Sequence, residues 1–225
     1  MAIIGKDTAL GVDIQAHSTG NRFRRARFAI FKSMINEVIA EKGCCRILDV
    51  GGTPKFWQTW GEILPKSVSI TVSNLHGDFP ANTGRLTFHT ADACQMPYDD
   101  NSFDLVHSNS VIEHVGAWSR QASMAREIQR VAPRYFVQTP NYWFPVEPHA
   151  RTLFFHWLPE PMRASLLLKQ DRGFLKKAPD IGRATELYQS AILLDIRQMK
   201  FLFPRAEVRR EKFYGLTKSL IAIKR

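Results

Sequence analysis

Cysteine is scarce in this chain, and the three that occur exclude a disulfide scaffold. Cys44, Cys45 and Cys94 make an odd count, two of them are neighbours, and no pair has the spacing of a zinc motif. They read as small buried hydrophobes, not nucleophiles, and no metal is expected. Long apolar runs are also missing, since none approaches the ~20 residues of a membrane span. The first 20 residues lack the charged start and apolar core of a secretory signal, so a cytoplasmic location is expected. Internal repeats and low-complexity tracts are absent. Acidic residues are few: 21 against 31 basic ones, a net charge of +10. That excess favours an anionic partner. Its densest cluster is Arg22, Arg24, Arg25 and Arg27, with smaller groups at 169–177 and 205–212. Solvated faces account for most of it, and without interleaved aromatics nucleic acid is not the expected partner.

With 44% hydrophobic and 23% charged residues, the 225-residue chain has the composition of one folded domain, 1–225, with extra helices. Segment 1–43 is expected to be a helical lead-in. Within it, 21–42 has Phe23, Ala26, Ile30, Met34, Ile35 and Val38 at helical intervals. Strand and helix signals then alternate. Ile47–Val50, Ser67–Val72, Asp104–Ser108 and Tyr135–Gln138 read as strands, and Phe56–Ile63 and Ser119–Val131 as helices. This rhythm predicts an α/β fold with a parallel sheet covered on both faces. From about 140 to 182 the rhythm breaks, with six prolines among Tyr142, Trp143, Phe144, Phe154, Phe155 and Trp157. We expect a loop and one or two small helices there, a lid and substrate-recognition insertion after the fifth strand. Glu186–Phe201 is expected to form a helix, and Glu207–Tyr214 with Ser219–Ile223 a closing strand pair.

The most informative stretch is 46–52, a short apolar run ending in Asp49, Val50, Gly51 and Gly52. Glycines after a buried strand let the backbone approach a ligand, and a following helix offers unpaired N–H groups. With segments 91–115 and 213–223, this stretch resembles the class I S-adenosylmethionine-dependent methyltransferases, in particular the small type 11 members. The resemblance covers about 44–140 and the last strands. It implies a Rossmann-like, seven-stranded, mostly parallel sheet, with S-adenosylmethionine as cofactor and S-adenosylhomocysteine as product. It also implies that Asp49, Gly51, Gly52 and Thr53 cradle the methionine part, that Asp92 and Ala93 meet the adenine, and that Asn109 and Ser110 pass the methyl group. Ser110 also reads as a helix N-cap. Two departures stand out. The later glycines of the family loop are Thr53 and Lys55 here, with Pro54 removing an N–H donor. Asn74, followed by Leu75, stands where the family has an acid for the ribose hydroxyls, and an amide can still accept and donate there.

Methyl transfer from a sulfonium chiefly needs alignment, and an alcohol acceptor also needs a base. His149 and Glu147 in the insertion, and His114 beside the fourth strand, are the candidates for that role. His156 reads as a packing residue. The chain lacks the AsnProProTyr-type loop that family members acting on nitrogen often carry. The expected activity is therefore methylation of a small or medium acceptor, at oxygen, with an anionic, aromatic or glycosidic character. Two alternatives remain open: a lipid or quinone acceptor met at a membrane surface through 151–170, and a non-catalytic binding module. The oligomeric state is not legible.

Overall fold

Alternating apolar residues on five central strands need cover on both faces, and the chain supplies it from two sets of helices. The computed structural model describes residues 19–76 and 79–225, so the expectation about a secretory signal in the first 20 residues falls on residues 1–18, outside the described ones. Its elements are α1 (Thr19–Lys42), β1 (Cys45–Val50), α2 (Pro54–Trp60), β2 (Val68–Asn74), β3 (Leu86–Thr90), β4 (Leu105–Asn109), α3 (Trp118–Val131) and β5 (Arg134–Pro140). A short pair, β6 (Val146–Glu147) and β7 (Thr152–Leu153), follows, and then α4 (Glu160–Lys169), α5 (Ile181–Gln189), α6 (Ile196–Leu202), β8 (Glu207–Phe213) and β9 (Leu216–Lys224).

The sheet runs β3-β2-β1-β4-β5-β9-β8, with the first five strands parallel and the last two antiparallel. This is the expected α/β sheet, seven-stranded and mostly parallel. Because β1 lies beside both β2 and β4, the chain reverses direction across the sheet there. A crevice opens at such a switch point, outside the carboxyl ends of the strands. Successive side chains divide between the faces. Leu48, Val50, Val106, Tyr135 and Val137 pack with α3 and α6, while Ile47, Ile70, Val72, Leu105 and Phe136 pack with α1 and α2. Each such side chain contributes roughly 1.5–3 kcal/mol by leaving water.

Several boundaries differ from the sequence reading. Helix α1 buries Phe28, Phe31, Met34, Ile35 and Val38, whereas Ala26 is exposed and Phe23 and Ile30 are only partly covered. At about 100° per residue, Ala26 falls on the far side of the stripe that touches the sheet. The helix expected over 186–201 is two helices. Asp195 accepts from the amides of Arg197 and Gln198, and Gln198 bonds back to Asp195, a capping box that starts α6 afresh. Residues 190–195 run between them, and their backbone serves the site described below. Ser110 is not an N-cap. It has φ 56°, and its hydroxyl donates to Gln138 Oε1 at 2.9 Å. Segment 150–188 gathers a small core of its own around Phe155, Leu167, Leu175 and Ala184. Among the described residues, no helix is long and apolar enough to cross a membrane.

Candidate functional site

At the carboxyl end of β1 the chain turns sharply upward, and glycine is the residue that permits it. Gly51 has φ +74°, and a Cβ there would meet the Val111 side chain at 2.4 Å. A Cβ on Gly52 would lie 1.8 Å from Asp49 Oδ2. The loop is therefore pressed onto the strand ends, as a cradle for a ligand backbone requires. Asp49 is the floor of this cradle. It is 2% exposed, with Oδ2 accepting from Trp57 Nε1 at 2.6 Å and Oδ1 facing His107 Nδ1 at 2.7 Å. Its carboxylate thus fixes α2 and β4 beneath the glycines. The His107 ring is enclosed by Phe31, Phe56 and Phe136. Neither Trp57 nor His107 was singled out from the sequence. A histidine in the middle of a buried strand was the available signal. Thr53 is the N-cap residue of α2, and its side chain makes no cap bond.

Along the neighbouring strand ends lie the other proposed cofactor residues. Asn74 closes β2, its Oδ1 accepting from the Leu75 amide at 2.9 Å, and Leu75 is half exposed. Asp92 follows β3, beside the partly covered Ala93. Asp92 accepts from the Cys94 amide at 2.9 Å and from Arg120 Nη2 at 2.9 and 3.0 Å. Burial alone would raise its pKa, but the Cys94 and Arg120 bonds outweigh that and hold the carboxyl below its usual range. A half-exposed apolar face next to an ionised acceptor suits an adenine ring and its exocyclic amine. A pressed glycine turn, an amide at the ribose position and that adenine edge together fit an adenosyl cofactor. Asn109 ends β4, and its Oδ1 accepts from Arg27 Nη1 at 2.7 Å, while Arg27 also pairs with Glu211 at 3.0 Å. Arg24 and Lys218 crowd the same corner, and burial with neighbouring positive charge lowers the pKa of both.

The three catalytic candidates come together. His149 Nδ1 lies 2.7 Å from Glu147 Oε1, and His149 Nε2 lies 3.1 Å from His114 Nε2. His114 Nδ1 in turn lies 2.9 Å from the Ser190 carbonyl. Glu147 also accepts from the His149 and Ala150 amides. Burial would raise the pKa of Glu147, but the hydrogen bond and charge of His149 lower it. For His149, burial opposes the charged ring, and the bond and charge of Glu147, with Glu113 adding, push its pKa up overall. Glu113, the sequence neighbour of His114, is wholly buried, with Oε2 accepting from Thr139 Oγ1 at 2.9 Å. It escaped notice because a buried acid between Ile112 and His114 looks like any turn residue in sequence. His156 packs as expected, its Nε2 2.6 Å from the Tyr142 carbonyl.

Comparison with known proteins bears on the fold. Among solved structures, a protein of Bordetella parapertussis described as a possible exported protein matches over 91% of this chain and 68% of its own, at 13% identity and a TM-score of 0.55. A SAM-dependent methyltransferase of Methanosarcina mazei matches over 80% of this chain and 91% of its own, at 16% identity and a TM-score of 0.48. The magnesium protoporphyrin IX methyltransferase of Synechocystis matches over 93% and 89%, at 12% identity and a TM-score of 0.48. No curated protein matches the chain in sequence. At 13% identity the Bordetella protein speaks to the fold alone. The family model of the methyltransferase domain matches residues 63–134, which run from the end of the 3-10 turn after α2, through β2, β3, β4 and α3, to the first residue of β5. That match covers about a third of the chain and shows its likeness to the methyltransferase-domain family.

Proposed function

We propose that this methyltransferase acts on an oxygen of a small or medium acceptor that carries an anionic group. The observation that carries the reading is the relay Glu147, His149, His114 at the rim of the sheet. S-adenosylmethionine supplies a methyl group on a sulfonium, open to in-line displacement. The chain has to hold the acceptor in line and manage the proton of its hydroxyl. Positioning of this kind is worth ~7–11 kcal/mol in the best intramolecular cases. The cradle of Gly51 and Gly52, the amide of Asn74 and the carboxylate of Asp92 orient the donor. Glu147 and the Ser190 carbonyl each fix one imidazole, and the pair, whose Nε2 atoms face each other at 3.1 Å, would take the proton of the acceptor hydroxyl.

The anionic preference is supported by Arg24, Arg27 and Lys218, three partly covered cations against one Glu211, with Phe23 under the Lys218 ammonium at 4.4 Å. A carboxylate or phosphate on the acceptor would complete this corner. A cytoplasmic site of action belongs to the same reading, supported by three free cysteines. The test is product analysis over a panel of hydroxylated, aminated and anionic acceptors, with Lys218→Gln alongside. We expect methyl ethers or esters, and a raised acceptor KM in the variant with unchanged affinity for the cofactor. Products methylated at nitrogen or carbon alone would sink the oxygen assignment.

A lipid or quinone acceptor is a second reading, favoured by Trp143, Leu153, Phe154 and Trp157, all exposed on one stretch of the insertion. Failure to float with anionic liposomes would remove it.

A further inference from the structure

We propose that Glu113, His114 and His149 form a binding site for one divalent transition-metal ion of the zinc class. The sequence gave no reason to expect a metal, because the ligands are dispersed over two loops and no cysteine takes part. In the fold, these three residues each offer a ligand atom, and the three atoms lie within 4.8 Å of one another.

Hydrogen bonding fixes which nitrogens are available. The Ser190 carbonyl can only accept, so His114 Nδ1 is the donor there. Glu147, already an acceptor from the His149 and Ala150 amides, makes His149 Nδ1 the donor in the same way. Both Nε2 atoms then present lone pairs, and they face each other at 3.1 Å. Something positive has to lie between them. Two nitrogens bound to one tetrahedral zinc stand roughly 3.3 Å apart, given bond lengths of ~2.0–2.1 Å, so little movement is needed.

The unpartnered carboxylate oxygen beside the two rings favours an ion over a shared proton. Glu113 and Glu147 are 0% and 5% exposed, and among the described residues neither pairs with a lysine or arginine. Glu113 Oε1 has no hydrogen-bond partner among the described residues. A proton shared between the rings would leave Glu113 Oε1 without a partner, whereas an ion bound by both rings and that oxygen completes all three. The surroundings are those of a metal centre as well. A carboxylate behind one histidine and a backbone carbonyl behind the other hold tautomer and ring orientation. Two histidines and one glutamate leave a fourth position open, as in catalytic zinc sites. This deepens the oxygen reading and rests on the same rim, where the ion would serve the acceptor oxygen in place of a free imidazole.

The test uses the full untagged chain, stripped with chelator and titrated with Zn2+ by calorimetry and with Co2+ by visible absorption. We expect one ion per chain, with cobalt d–d bands and no thiolate charge-transfer band. His149→Gln and Glu113→Gln should each weaken binding by more than the ~10–100-fold typical of an outer partner, the loss expected for Glu147→Gln. Circular dichroism of the metal-free variants checks that they fold. Lack of saturable binding in the wild-type chain would overturn the proposal and leave a shared proton between the rings. So would full affinity in His149→Gln, or a thiolate band. None of these readouts involves an acceptor, so an acceptor methylated at nitrogen would remove the oxygen reading without touching the ion.

Discussion

Two clusters of buried acids sit at the carboxyl end of the same sheet, and they are finished to different degrees. Under the glycine turn, both oxygens of Asp49 have protein partners, Trp57 and His107. Around the fifth strand, Glu113 Oε1 has no partner among the described residues, and the Nε2 atoms of His114 and His149 face each other at 3.1 Å. A satisfied buried carboxylate stabilises the fold, while an unsatisfied one is destabilising unless a ligand completes it. The first cluster is therefore scaffold for the cofactor loop. The second is where chemistry should be sought.

The largest effect expected from breaking this contrast is at Asp49. Asp49→Ala leaves a buried histidine and indole without their acceptor, and should lower unfolding free energy by ~3–5 kcal/mol in urea denaturation, the range for breaking a buried pair. A loss below about 1 kcal/mol would mean that Asp49 is not the floor of the fold. Next comes Asp92→Ala, which removes the proposed adenine acceptor and frees Arg120. We expect cofactor affinity by calorimetry to fall about tenfold or more, equivalent to ~1.4 kcal/mol, with the melting temperature little changed.

A smaller effect comes from the opposite end of the sheet. Asp104 has a side chain only 3% exposed, paired with Lys42 at 2.7 Å and Arg46 at 3.3 Å. Burial raises its pKa, but the bonds from Lys42 and from the Arg46 amide and guanidinium lower it overall. A depressed carboxyl contributes stability that is present in full above the unfolded value of ~3.9 and is lost as pH falls through the lower folded value. Asp104→Asn should thus flatten the acid limb of melting temperature against pH below about 4, with a loss near ~1 kcal/mol at neutral pH because both partners are half exposed. An acid limb identical to wild type would refute this. The smallest effect is at Glu113. In metal-free protein, Glu113→Gln keeps the side chain's size and an acceptor for Thr139, so stability should change by less than about 1 kcal/mol. A loss as large as that of Asp49→Ala would erase the contrast between the clusters.

Much of the fold was legible because it rests on local patterns. The apolar stretches of β1, β4 and β5 and the amphipathic spacing of α3 announce themselves, and Gly51 marks the turn through the one backbone conformation that its neighbours would resist. The break between α5 and α6 was missed because a helical apolar period continues across it, and the capping box at Asp195 was outweighed in reading the period. The mini-hairpin of β6 and β7 is two residues on each side, too short for any period to register. At the site, the sequence identified Asp92, His114 and His149 by type and neighbourhood. It gave no hint that Arg120 holds Asp92, or that Glu113 joins the two histidines.

The sequence by itself determined β1, β2, β4, β5, β8 and β9, the glycine turn and the set of polar residues at the strand ends, because each depends on neighbours within a few positions. Only the tertiary structure decided which of those residues are used up and which are left open. His114 and His149 meet across a separation of 35 residues, and His114 meets the Ser190 carbonyl across 76. Such contacts are set by how β4, β5 and the insertion pack together, and no local pattern in the chain encodes that packing.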